Sequence, residues 1–200
     1  MDDEKKIEEI ELREPILLYS DVIVCPVCGK KSLEVSSYLY TVDYFGRILM
    51  TRGICTNCGY KFRDVKLAEP TRPKKIIVYV QSEKQLRYLL VKSAYSYLAI
   101  LEKGYEMIPG PASTGFITTV EGVLHRFQEA LSIACSGADN EQCLQEKEWL
   151  KRAIDGLEKF TLVICDYEGA SKVVGDDVEE EPLDDYCIGK KPEWLELPQT

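Results

Sequence analysis

The sequence predicts a mostly β fold of the α+β class: a small cysteine-bearing module first, then a larger strand-rich domain interrupted by a helical hairpin. Three observations predict it. Two Cys-x-x-Cys pairs flank a segment of hairpin length. Short runs of β-branched and aromatic residues recur between turn residues. Two longer stretches instead repeat their apolar residues at helical spacing.

The elements follow in order. Residues 1–14 carry seven acids against three bases and read as an acidic tail. Leu17 to Val24 is apolar and leads into the first cysteine pair as a strand. Leu33 to Asp43 (with Val35, Tyr38, Tyr40 and Val42) and Ile48 to Ile54 form a hairpin around the turn Tyr44–Arg47. Phe62 to Leu67 alternates again. The two prolines of AEPTRP place a boundary near residue 70. This gives a module over 15–69, a β domain over 70–190 and a C-terminal tail over 191–200.

Within the β domain, Lys75 to Gln81 reads as a strand, and Ser82 with Gln85 caps a short helix running through Leu89. Ala94 to Leu101 reads as a strand, and Met107 to Ser113 is turn-rich. Thr118-Thr119-Val120-Glu121 fits a capping box with Thr118 as the cap. Val120, Leu124, Phe127 and Leu131 then share one helical face, and Ser136-Gly137 ends it. A second helix runs from about Asn140 to Leu157, with Leu144, Leu150, Ala153 and Leu157 inward. The pair makes an antiparallel hairpin over about 118–158. Phe160 to Cys165 returns to strand, and an acidic loop with seven acids in ten positions follows at 176–185.

The chain has 200 residues, 45% apolar and 30% charged, ordinary for a globular protein and long enough to bury a core. Its net charge of −9 argues against nucleic acid as the main partner. The start of the sequence has no apolar signal-peptide core, and no apolar run reaches the roughly 18–20 residues of a membrane span. A cytoplasmic location without membrane contact is expected. There, paired cysteines are more often metal ligands than disulfides.

The pairs read C-P-V-C-G and C-T-N-C-G, with 25 residues between Gly29 and Cys55. Cys25, Cys28, Cys55 and Cys58 supply four soft thiolates, the donor set of a closed tetrahedral zinc site. The two-residue gap lets both sulfurs of a pair reach one ion from a tight turn, and Gly29 and Gly59 permit the left-handed backbone after it. One Zn²⁺ per chain is expected, with iron in a rubredoxin-like site as the alternative. Four thiolates leave no open position for water, so the ion is structural, and the module folds with its metal. Between Cys25 and Lys66 seven Lys or Arg stand against three acids. With the −2 of a zinc tetrathiolate, the loaded module keeps a charge of about +2. Cys135, Cys143, Cys165 and Cys187 read as unpaired, small apolar residues.

No catalytic residues and no organic cofactor site are predicted. His125 is the sole histidine and lies off the apolar helix face, and no phosphate-loop motif is present. Asp166, Gly169 and Ser171 read as a structured turn. A ligand site there is the alternative, and an enzymatic reading needs a cleft with perturbed carboxylates around Asp166.

These motifs resemble the ZPR-one zinc-finger family of archaea and eukaryotes. CPVCG and CTNCGYKFRDV resemble its zinc finger. IPGPASTGFITTVEGVL (Ile108 to Leu124) is similar to its most distinctive stretch, and FTLVICDYEGAS (Phe160 to Ser171) to its later strand and turn. QLRYLLVKS (Gln85 to Ser93) is a looser match, and AYSYLAILEKG departs from the family's wording. The single module resembles the archaeal form. The resemblance implies a zinc ribbon followed by a double-stranded β-helix barrel with an inserted helical hairpin. It also implies a non-catalytic interaction factor that contacts translation elongation factor one-alpha and assists its folding. The alternative is a nucleic-acid-associated zinc ribbon of transcription or translation. The sequence specifies no oligomeric state.

Overall fold

A computed structural model describes residues 14–137 and 140–196 of the chain. Apart from Glu14, the expected acidic tail lies outside the described residues, as do residues 197–200 of the C-terminal one. Four antiparallel strands come first: β1 (Ile16–Val24), β2 (Lys31–Val42), β3 (Gly46–Cys55) and β4 (Lys61–Leu67), in that spatial order. The β2–β3 hairpin is in register from Leu33 opposite Cys55 to Val42 opposite Gly46. Its tight turn holds Tyr44 at φ 67° and Gly46 at φ 78°.

Two sheets form the second unit. The larger has the order β12-β5-β10-β7-β8 and the smaller β11-β6-β9, every pairing antiparallel. Their strands are β5 (Lys74–Val80), β6 (Leu89–Lys92), β7 (Tyr97–Ile100), β8 (Tyr105–Met107), β9 (Phe116–Thr119), β10 (Phe160–Asp166), β11 (Lys172–Val174) and β12 (Val178–Glu181). The short α1 (Glu83–Leu86) connects β5 to β6, and two longer helices, α2 (Val120–Ala134) and α3 (Glu141–Ile154), lie between β9 and β10. The core sits between the sheets, where Ile76, Val78, Leu98, Leu162 and Ile164 meet Leu90 and Val173, with Leu124 and Leu150 of the helices closing it. The central strand β10 is buried on both faces, because α4 (Asp185–Gly189) brings Cys187 behind it against Val163 and Cys165. A strand buried on both sides needs no polar alternation, which accounts for the unbroken run FTLVIC.

Several elements differ from expectation. The α2 cap is Thr119, whose Oγ1 accepts from the Gly122 amide at 3.0 Å. Thr118 lies one residue further back in β9, opposite Leu90, and the helix starts only at Val120, so the cap falls on the last strand residue. Leu144 and Leu157 point to solvent. The α3 helix stops at Ile154, Gly156 takes φ 74°, and Leu157 therefore lies past its end. Trp149 packs inward instead, edge-on to Phe160 and Tyr105. Residues 178–181 of the acidic loop form edge strand β12, held by Lys74–Glu180 and, just beyond it, Lys75–Asp184 pairs, each at 2.7 Å.

The largest difference concerns the four cysteines outside the pairs, which are joined as Cys135–Cys143 and Cys165–Cys187. The first staples the end of α2 to the first turn of α3. The second fastens α4 to β10. Cross-linking a span of 22 residues is expected to stabilise by about 3 kcal/mol through the unfolded chain. The Cys165→Ala/Cys187→Ala variant should lose that amount, read from denaturant unfolding of the zinc-loaded protein. A variant as stable as the parent would contradict it.

Candidate metal centre and the ribbon junction

Each cysteine pair sits on a tight turn that the backbone builds twice. Cys25 N–H donates to Lys30 O at 2.8 Å and Gly29 N–H to Cys25 O at 2.9 Å. Cys55 N–H donates to Tyr60 O at 2.8 Å and Gly59 N–H to Cys55 O at 3.0 Å. Gly29 and Gly59 hold φ of 70° and 75°, the left-handed conformation that makes glycine the suitable residue. The turns are tied together by Lys30 Nζ donating to Asn57 Oδ1 at 2.9 Å and Thr56 N–H to Ser32 O at 2.9 Å.

This brings the four predicted sulfurs together, all within 4.8 Å of one another. Cys25 Sγ lies 3.8 Å from Cys58 Sγ, and Cys28 Sγ 3.7 Å from Cys55 Sγ. A zinc–sulfur bond of about 2.3 Å gives a tetrahedron with edges of about 3.8 Å, so the donor set fits the ion. Cys25 and Cys55 are buried, while Cys58 reaches the surface.

The thiols oppose one another's ionisation. The Ser32 hydroxyl, 3.2 Å from Cys55 Sγ, holds that thiol down at about 6, helped by the amides of Cys58 and Asn57. Cys58 receives a lowering hydrogen bond from the Tyr60 backbone, yet local desolvation of its sulfur and the neighbouring thiols push it up to about 12. One sulfur ionises readily and then opposes ionisation of another. A divalent ion removes that conflict by stabilising every thiolate at once.

The ribbon joins the two-sheet unit along β4. Val65 and Leu67 pack with Val91 and Ile117, and Asp64 Oδ1 accepts from the Gly115 amide at 2.6 Å. Asp166 lies behind this junction and is fully buried. Its Oδ2 accepts from Ser171 N–H at 2.6 Å, and its Oδ1 from the Ser93 hydroxyl and Glu168 N–H, both at 3.3 Å. The Asp166–Ser171 segment is thus a hydrogen-bonded turn. A cleft of about 290 Å³ opens beside it, lined by Tyr60, Phe62, Asp64, Lys66, Tyr95 and Glu168 among others. Burial raises the Glu168 carboxyl, Lys66 opposes the rise, and Asp166 and Asp64 add to it. No histidine or cysteine lines the cleft, and His125 sits exposed on α2 near Glu121 and Gln128. Sequence reasoning missed Glu168 and Lys66 as cleft residues, since β4 and the turn after β10, far apart in the chain, bring them together.

Lys92 is the other charge at the junction, with its Nζ donating to Ser93 O at 3.0 Å and facing the Phe116 ring. Burial lowers it to about 8, with Asp166 and Asp64 opposing and Arg126 adding to the drop. Between about 8 and the ordinary 10.5 the unfolded chain holds a proton that the folded one has released, so stability rises with pH through that window. At neutral pH the buried ammonium is a cost. Lys92→Met is expected to stabilise by about 1–2 kcal/mol at pH 7 and to flatten the rise above pH 8. Denaturant unfolding at a series of pH values checks both. A destabilised variant at pH 7 would contradict this account.

A cysteine-rich ribbon packed on an antiparallel two-sheet domain with an inserted helical hairpin defines a zinc-finger protein of the jelly-roll class. Residues 84–186 match the family description "ZPR1 jelly-roll domain". A ZPR1-like protein of Methanocaldococcus jannaschii is 37% identical over 86% of this chain and 89% of its own length. One from Pyrococcus horikoshii is 29% identical over 90% of this chain and 79% of its own. The zinc finger chaperone of Schizosaccharomyces pombe is 28% identical over 71% of this chain, which spans only 33% of that relative. The chain belongs to the ZPR1 family, in its archaeal form, and zinc binding belongs to it with that membership. Among the described residues no helix is long and apolar enough to cross a membrane.

Proposed function

We propose that this protein is a zinc-dependent, non-catalytic interaction factor that holds a partner polypeptide, translation elongation factor one-alpha, and assists its folding. One zinc per chain, on Cys25, Cys28, Cys55 and Cys58, keeps the ribbon folded. The observation that carries this reading is the four-sulfur cluster, whose 3.7 and 3.8 Å separations match a closed coordination shell. A closed shell offers no water or substrate position. The fission-yeast relative is named a zinc finger chaperone, which supports a folding role. The experiment is capture of elongation factor one-alpha from the same organism, native and refolding, by the zinc-loaded protein. Retention at about 10 µM supports the reading. Failure to retain either form, with zinc bound at one equivalent, overturns it.

A further inference from the structure

We propose that the outer face of the ribbon carries a groove that binds an acidic segment of a partner polypeptide, read by Arg52, Arg63, Tyr38 and Tyr40. This rests on the protein being a polypeptide-binding factor, and it names the chemistry of the segment held.

The register makes the groove. Arg52 on β3 lies directly opposite Arg63 on β4, and Tyr38 on β2 opposite Met50, which is itself opposite Val65. Residues paired across neighbouring strands share a face, and so do alternate residues along one strand. Tyr38, Tyr40, Met50, Arg52 and Arg63 therefore stand on one side of the sheet, around a hollow of about 420 Å³. At its inner end the same face is covered, because Ile48, Val65 and Leu67 pack on Val91. At its outer end the arginines are exposed.

Two like charges directly opposite each other on adjacent strands repel. Among the described residues neither arginine has a carboxylate at ion-pair distance. Asp64 also borders the hollow, but alternation turns its side chain to the other face, where Gly115 holds one oxygen. Arg52 leans on Tyr38, 5.7 Å from the ring centroid, and the Tyr38 and Tyr40 centroids are 6.4 Å apart. The face thus pairs two guanidinium forks, which match a carboxylate with two parallel hydrogen bonds, with aromatic surface for an apolar neighbour. Leu17 on β1, opposite Tyr38 and exposed, extends that apolar flank.

Charge decides between an acidic peptide and a nucleic acid. A polyanion needs a stripe of cations tracking many phosphates. This face offers Arg52, Arg63 and the adjoining Lys61, interrupted by Glu34, on a chain of net charge −9. A short segment carrying one or two carboxylates matches that footprint.

The test uses the full-length, zinc-loaded chain and fluorescence anisotropy. The probes are a labelled peptide alternating aspartate with phenylalanine and leucine, the same peptide with lysine for aspartate, and oligouridylate. The acidic peptide should bind in preference to the other two. Arg52→Glu and Arg63→Glu should each weaken it about tenfold or more, with zinc content unchanged. No binding of the acidic peptide, unchanged affinity in both variants, or preference for oligouridylate would overturn the groove. Elongation-factor capture separates this proposal from the broader one. Equal capture by the parent and Arg52→Glu refutes the groove alone. No capture by the parent, with peptide binding that the arginines control, refutes the elongation-factor reading and upholds the groove.

Discussion

Cys55→Ser is expected to release the zinc and unfold the ribbon while the two-sheet domain keeps its fold. Cys55 is buried, packs in one cluster with Cys25, Leu33 and Val35, and accepts from the Ser32 hydroxyl and the Cys58 amide. A serine there removes a soft ligand and shortens the reach to the ion. Structural zinc contributes about 10–16 kcal/mol to small domains of this kind. The apolar cluster beside the four sulfurs is small, Cys25, Leu33, Val35 and Cys55 with three half-buried neighbours, and cannot replace that sum. The domain behind it has a separate, larger core with its own helices. Zinc content by elemental analysis, and proteolysis confined to residues before about 70, are the expected readouts. Stoichiometric zinc retained by the variant would refute the ligand set.

Gly115→Ala is expected to cost about 3 kcal/mol and to loosen the ribbon from its support. A methyl at this position would stand 1.9 Å from Val65 O and 2.8 Å from Lys92 O. Both are backbone atoms, one in β4 and one in β6, so no side chain can rotate away. The two units must separate, and the Asp64–Gly115 hydrogen bond stretches with them. Denaturant unfolding measures the loss, and hydrogen exchange at Val65 and Leu67 locates it. A stability within about 0.5 kcal/mol of the parent would show that the seam is soft.

The four-cysteine cluster was legible because its signal is local. Two residues between cysteines and a glycine after them specify a turn without reference to the rest of the chain. Much of the second unit lacks such signals. The Ser82–Gln85 cap predicts a helix running through Leu89, yet the helix ends at Leu86, and Leu89 pairs with Thr119 and Val174 from distant strands. The acidic run reads as a solvated loop by composition. It becomes a strand because Lys74 and the neighbouring β5 offer both ladder and counter-charge. Cys165 and Cys187 have no spacing motif, and only the packing of α4 behind β10 joins them. Arg52 and Arg63 appear in the sequence as members of a diffuse basic excess. Only the strand register makes them neighbours.

The eight cysteines divide between two destinations, four in the sulfur cluster of the ribbon and four in two cross-links. Eight free thiols allow on the order of a hundred pairings, and four allow about three. Zinc taken up early withdraws its four sulfurs from exchange, because a metal-bound thiolate is held away from oxidants by its neighbours. Zinc loading is therefore expected to narrow oxidative assembly to the two bonds outside the ribbon. Refolding with a chelator in air should yield mis-bridged species, and refolding with zinc a single disulfide map.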